Sequence, residues 1–422
     1  VNAFSFLFLP CAQGVEPLLA AELQGFPGLP PARITARRGG VLLQAERVDD
    51  LPLLAMQANL HSRLAQRVLW PLAEGRYQSE HDLYALARSV PWTNWITPRE
   101  TLKVDVTASR SPLRSLNFAA LRVKDAVCDV LREASGERPS VDTHRPDLPL
   151  LLHLHGEHAT LYADTSGEAL FKRGWREDKG EAPLKETLAA AMLSAAGWAG
   201  RADDGPLLDP CCGAGTIAIE AAQLACGIAP GLQRRFAFER LAPFRTTALQ
   251  REWQQLKQAA KNRVHAPLAP VIAGDVSFRM TDFSTRNAER AGVSHAIEFK
   301  TMDALQRPAP AARGTMMLNP PYGERIDPKG SGQGALSGAR EGFEGGAGPE
   351  AFFAQLAGHW KRHYAGWTAW VLTPDPKLPS QMRLKESRRV PLWNGPIECR
   401  LFRFELVAGS ARTPKPAADP AQ

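Results

Sequence analysis

The chain has 422 residues, 44% hydrophobic and 23% charged, with a formal net charge of +7 and a pI near 9.2. That length exceeds one compact domain and predicts two or three, and the composition is that of a globular protein. No apolar run is long enough to span a bilayer, which speaks against a membrane protein, and the basic balance permits a polyanionic partner without requiring one.

The apolar start, Asn2–Pro10, lacks a basic segment and reads as a strand, not a signal peptide. Residues 4–9 and 41–45 are predicted strands flanking an amphipathic helix, in which Val15, Leu18, Leu19 and Leu23 recur at helical spacing before Gly25. A second helix over 51–60 and a strand over 63–71 complete a small α+β module, residues 1–70. A second module, 71–168, begins with a helix at 80–89 capped by Ser79, then a strand over 101–108. Residues 116–135 have helical period, with Ala119, Val123, Val127 and Leu131 inside and Gly136 as the stop. Strands at 150–154 and 159–164 follow, joined by the His155–His158 turn. Two basic clusters lie here, Arg110, Arg114, Arg122 and Lys124 in one and Lys172, Arg173 and Arg176 in the other. They suit phosphate contacts, or simply a solvated face.

From Leu184 the pattern becomes α/β, and residues 169–408 form the third unit. A helix over 184–196 precedes a buried strand at 206–208, the turn Asp209-Pro-Cys-Cys-Gly-Ala-Gly-Thr216, and a helix over 217–226. Strand, glycine turn and helix in this order suit a nucleotide-type ligand, although a plain tight turn fits too. The glycines let backbone approach the ligand, the helix N-terminus attracts an anionic group, and Asp209 can hold an amine. Residues 227–267 read as an inserted loop and helix rich in arginine and aromatic residues. The next strand, 270–273, ends near Asp275, positioned for ribose hydroxyls, and the strand 296–300 ends near Asp303, positioned for an adenine amine. Thr315–Leu318 leads into Asn319-Pro320-Pro321-Tyr322. Two successive prolines carry no N–H, so this corner offers acceptors and a flat ring to a planar exocyclic amine. Acids that merely cap helices are the alternative for each strand end alone, and a weaker one for all four together.

Residues 323–349 are Gly/Ser/Ala-rich, followed by a helix at 350–364, a strand at 368–372 and a hairpin of 386–392 with 398–406 about Trp393–Pro396, which makes the sheet end antiparallel. The tail, 409–422, is Pro/Ala-rich and expected to be disordered. The six cysteines show no C-x-x-C pair, and adjacent Cys211 and Cys212 do not fit zinc spacing, so reduced thiols, no metal and a cytoplasmic location are expected.

Taken together, Arg173–Arg176, Ala182–Glu186, Leu208–Thr216, Arg235–Glu239, Asn319–Arg325 and Asn394–Arg400 resemble motifs of the bacterial THUMP-containing rRNA guanine-N2 methyltransferases. Ala120–Asp125, Gly136–Val141 and Asp164–Gly167 resemble the THUMP region of the same family, and the match runs to about residue 407. The resemblance implies a Rossmann-like class I methyltransferase sheet with an antiparallel last strand, preceded by ferredoxin-like and THUMP modules. It implies S-adenosyl-L-methionine as cofactor and 23S ribosomal RNA, free or in a precursor particle, as substrate, with methylation of a guanine N2 by a monomer. Asp209, Cys211, Gly213, Gly215, Thr216, Asp275, Asp303 and Asn319 would then bind the cofactor, and Asn319, Pro320, Pro321 and Tyr322 the target base. Where the family has a second ribose acid this chain has Ser277, leaving Asp275 alone in that role. Larger relatives carry a second methyltransferase domain, and this chain is expected to be the single-activity form. Two other functions stay open on the sequence: methylation of adenine N6 in RNA or DNA, and a non-catalytic RNA-binding assembly factor.

Overall fold

The computed structural model describes residues 4–180, 183–320 and 349–407. The Gly-rich stretch 326–348, the tail 409–422, and Pro321 and Tyr322 lie outside the described residues.

Fifteen strands among the described residues form two sheets. The first combines β1 (Phe6–Pro10), β2 (Ala32–Arg37), β3 (Gly40–Ala45), β4 (Leu69–Arg76), β5 (Thr101–Ser109), β6 (Ser140–Val141), β7 (Leu148–His155) and β8 (His158–Asp164). Its order is β2-β3-β1-β4-β8-β7-β5-β6, so the two N-terminal modules share one sheet. β4 belongs to both, touching β1 through Phe8 opposite Leu69 and running antiparallel to β8 along most of its length. Helices α1 (Glu16–Gln24), α2 (Leu51–His61), α3 (Glu80–Arg88) and α4 (Leu116–Ser135) cover it. In α4 the Ser115 hydroxyl accepts the Phe118 N–H, Ala119, Val123, Ala126, Val127 and Leu131 turn inward, and Gly136 ends the helix at φ 82. Each large apolar side chain so buried contributes about 1.5–3 kcal/mol.

The expected strand over 63–71 begins only at Leu69. Residues 62–68 form a bend whose backbone bonds to side chains and to a neighbouring strand instead of a ladder. The Arg63 N–H donates to Glu22, the Ala65 N–H to the Ser62 hydroxyl, and the Gln66 N–H to the Pro10 carbonyl. β2 was not predicted, although Ala-Arg-Ile-Thr-Ala-Arg alternates as an edge strand does.

The second sheet contains β9 (Leu207–Asp209), β10 (Val271–Asp275), β11 (Ile297–Thr301), β12 (Gly314–Leu318), β13 (Trp367–Thr373), β14 (Glu386–Asn394) and β15 (Ile397–Glu405), in the order β11-β10-β9-β12-β13-β15-β14. The first five are parallel and β15 runs antiparallel to β13, as expected of the last strand. Alternate residues feed two cores. Leu207, Val271, Ala273 and Met317 pack on one side, with α5 (Glu186–Ala196), α6 (Thr216–Ala225) and α8 (Phe278–Arg290). Leu208, Ile272, Met316 and Leu318 pack on the other, with α9 (Pro349–His363) and α10 (Leu378–Met382). That two-sided burial is why these strands read as unbroken apolar runs.

The inserted segment 227–267 joins the halves. Its helix α7 (Thr247–Asn262) buries Trp253 against Phe236 and Phe238, and Phe244 meets Trp70 edge-on at 5.9 Å. Phe238 N–H donates to the Thr165 carbonyl beyond β8. Beside it a charge network is fully inside the protein. Glu220 of α6 accepts from Arg63 at 3.0 Å and from Arg173 at 3.0 Å, and Arg173 also donates to the Arg63 carbonyl.

Candidate active site

Parallel strands bind ligands outside their C-terminal ends, and register fixes which residues stand there. Asp209 on β9 lies level with Ala273 on β10, and Ala273 with Phe299 on β11. Asp275 ends β10 opposite Thr301, with Asp303 just beyond, and Asn319 follows β12 on the other side of β9. The four expected strand-end residues are thus brought to one edge.

The turn after β9 crosses to β10, where the Cys212 N–H donates to the Gly274 carbonyl and the Gly213 N–H to Asp275 Oδ2 at 3.0 Å. Gly215 sits at φ 88, and a Cβ there would be 3.1 Å from Ser284, so glycine is required at this position. Ser284 and Asn287, on the inner face of α8, bind the Gly213 and Ala214 carbonyls at 2.6 and 3.0 Å. Neither was singled out from the sequence. Their signal was two polar residues one helical turn apart on a face otherwise buried. Arg176, in sequence part of a basic cluster suited to phosphate or solvent, bonds Glu186 at 2.8 Å and the Thr216 hydroxyl at 2.7 Å, at the first residue of α6. Its Nη1 is buried without a partner.

Asp209 is 1% exposed, and neither carboxylate oxygen has a hydrogen-bond partner. Burial, then the nearby Asp275 charge, pushes its carboxyl well above 3.8; the Cys211 N–H pulls weakly the other way but falls short of hydrogen-bond geometry. Asp275 is raised by burial, against hydrogen bonds from the Ser277 and Gly213 N–H groups. Asp303 accepts from the Leu305 N–H. Among the described residues no cationic side chain pairs with any of these three acids. The Cys211 and Cys212 thiols are raised far by burial and by the same carboxylates, so they stay protonated and are poor nucleophiles. Asn319 Oδ1 is also buried and unpaired, and Pro320 is buried beside it. A buried acceptor without a donor costs about 1–3 kcal/mol, so two on adjacent strands mark a place where a ligand brings donors. A cofactor with an ammonium group, ribose hydroxyls and an adenine amine fits this donor-hungry edge.

Of the expected RNA contacts, Arg110 and Arg114 are exposed and form no ion pair among the described residues. Arg110 adopts φ 57, and Arg122 lies 4.5 Å above the Tyr84 ring. Lys124 pairs with Asp125 at 2.7 Å and Lys172 with Glu168 at 2.9 Å. Arg173 must be corrected: it is 2% exposed and spent on Glu220, so it is a joint between domains and not a phosphate contact. Among the described residues no group of three or more His, Cys, Asp or Glu could hold a metal, and no helix is long and apolar enough to cross a membrane.

Comparison with known proteins agrees with this architecture. Residues 6–69 match the RlmL ferredoxin-like domain, 77–164 the THUMP domain, and 173–337 the RMKL-like methyltransferase domain. The Ribosomal RNA large subunit methyltransferase K/L of Syntrophotalea carbinolica is 37% identical over 409 residues, 95% of this chain and 53% of that protein. The chain therefore spans about half the length of the curated relative it matches. Among solved structures, a protein of Clostridium difficile 630 described as a possible methylase has a TM-score of 0.78 at 26% identity, covering 98% of this chain and all of that one. SMU.472, solved with SAH, has a TM-score of 0.79 at 24% identity, covering 96% of this chain and 99% of its own.

Proposed function

From a chain that carries an RlmL ferredoxin-like domain, a THUMP domain and an RMKL-like methyltransferase domain in that order, we propose S-adenosyl-L-methionine-dependent methylation of a guanine N2 amine in 23S ribosomal RNA, by a cytoplasmic monomer. The observation that carries the reading is the pair of unsatisfied buried acceptors, Asp209 and Asn319, at the ends of adjacent strands. When bound, the cofactor's sulfonium supplies an electrophilic methyl group. Asp209 holds its ammonium, the first N–H groups of α6 with Arg176 its carboxylate, Asp275 its ribose and Asp303 its adenine amine. Cys211, Gly213, Gly215 and Thr216 form the surface of the turn beside it.

A guanine is turned out of its stack, as enzymes working on a base require. Asn319 Oδ1 accepts one hydrogen of its N2 amine and the Pro320 carbonyl the other. Those two bonds draw the nitrogen out of ring conjugation and aim its lone pair; Pro321 and Tyr322 lie outside the described residues, and Tyr322 is proposed as the stacking face. The departing proton passes to water, so no strong base is needed; rate comes from positioning and polarisation. The THUMP module grips RNA by shape and phosphate through Arg110, Arg114, Arg122 and Lys124, with Lys172 alongside.

The test is to incubate the purified protein with labelled cofactor and large-subunit rRNA and to identify the modified nucleoside. N2-methylguanosine is expected, lost in Asn319→Ala while S-adenosylhomocysteine still binds. N6-methyladenosine as product, or full turnover by the variant, would overturn the assignment.

A further inference from the structure

A cleft of about 280 Å³ opens where three parts of the chain meet, and its lining is separate from the candidate active-site residues. Trp393 and Asn394 come from the β14–β15 hairpin, Lys185 and Thr187 from the start of α5, and Gln13 and Gln66 from the ferredoxin-like half. Register places it. Thr373 at the end of β13 is opposite Arg400 on β15, so the turn between Asn394 and Ile397 projects past the edge that carries Asn319. The first turn of α5 provides the other link, since Glu186, next to Lys185, bonds Arg176, which bonds Thr216 at the glycine turn. The seam between the halves is tight here. The Trp393 N–H donates to the Gln13 carbonyl, and a Cβ on Gly14, at φ 89, would collide with the Pro391 carbonyl.

The lining combines an indole, an ammonium and primary amides, and it includes no carboxylate. Lys185 is exposed and pairs with no acid among the described residues; its ammonium lies 5.1 Å from the Phe171 ring. An aromatic face with a cation and amide donors and acceptors is what unpaired RNA uses: stacking for the base, charge for the phosphate, amides for the base edge. A volume of about 280 Å³ lies at the small end of ligand pockets and leaves no room for a duplex.

Resting on the RNA substrate proposed above, we propose that this cleft holds an unpaired nucleotide adjacent to the target guanine, its base against Trp393 and its phosphate on Lys185. Holding a neighbour here keeps the strand splayed while the target occupies the Asn319 corner. The test uses the full chain, a labelled unstructured oligoribonucleotide and large-subunit rRNA, with Trp393→Ala and Lys185→Ala. Trp393→Ala is expected to weaken oligonucleotide affinity about tenfold, and Lys185→Ala to weaken it less and flatten its salt dependence. S-adenosylhomocysteine affinity and thermal unfolding should stay at wild-type values in Lys185→Ala, which guards against a folding defect in the Trp393 variant. Photo-crosslinking should also join the oligonucleotide to the peptide containing Trp393. Wild-type binding and rRNA methylation by both variants, with no crosslink at Trp393, would overturn this inference and leave the methyltransferase reading standing. Failure of the unaltered protein to bind or methylate any rRNA would overturn both.

Discussion

Two carboxylates, Glu220 and Asp209, are equally hidden from water and differently treated. Glu220, 0% exposed, is met by two arginines, and their charges and hydrogen bonds outweigh burial to hold its carboxyl below 4.5. Asp209, 1% exposed, is met by none, and its carboxyl is pushed up. The first is complete without a ligand and locks the N-terminal half to α6. The second lacks a hydrogen-bond donor, which suits the cofactor role proposed for it. The satisfied charge serves as a joint, and the unsatisfied one is the better candidate for a ligand contact.

Breaking the joint should have the largest effect. Arg173→Met leaves Glu220 with one partner, and loss of about 3–5 kcal/mol of stability is expected in denaturant unfolding. Asn319→Ala should reduce turnover by about 10²–10³, the scale for a lost polar contact to a reacting group, with S-adenosylhomocysteine affinity retained in calorimetry. Asp209→Asn should reverse the usual sign of a core polar substitution. The ligand-free protein becomes no less stable near neutral pH, while cofactor affinity falls by about 1.5–3 kcal/mol.

The pH dependence separates the two acids further. The folded value of Asp209 lies above 3.8, so its contribution to ligand-free stability is present at low pH and lost as pH rises through that raised value. Glu220 lies below 4.5, so its contribution is present above that value and lost on acidification. A cationic ligand needs Asp209 ionised. Cofactor affinity should therefore rise with pH in the wild type and rise less in Asp209→Asn, where of Asp209 and Asp275 only the raised Asp275 carboxyl still titrates, measured by titration calorimetry. The smallest effect is expected for Ser284→Ala, about 0.5–1.5 kcal/mol, seen as a modest loss of cofactor affinity because the Gly213 carbonyl loses its partner.

Strands buried on both faces and glycine-punctuated turns were legible because each is a local pattern. Asp209, Asp275, Asp303 and Asn319 were found at one edge from strand order alone. What escaped depends on partners distant in sequence. Arg173 looks like surface charge until Glu220 arrives from 47 residues away, and Arg176 likewise until Thr216 does. Ser284 and Asn287 carry no motif of their own and acquire meaning only once α8 lies along the glycine turn. The bend at 62–68 failed as a strand because its apolar residues concealed backbone groups already committed to Glu22, Ser62 and β1.

The single sheet that runs from β2 to β6 has a mechanical consequence. β4 runs along β8 and meets β1 at the Phe8–Leu69 pair, so a swivel of the ferredoxin-like and THUMP regions about each other would break that junction. Such a plank acts as a ruler. On the RNA methylation proposed above, RNA seized at its far end would reach the methyl-transfer edge across a set span, and loop length in the RNA becomes a criterion of choice alongside base identity.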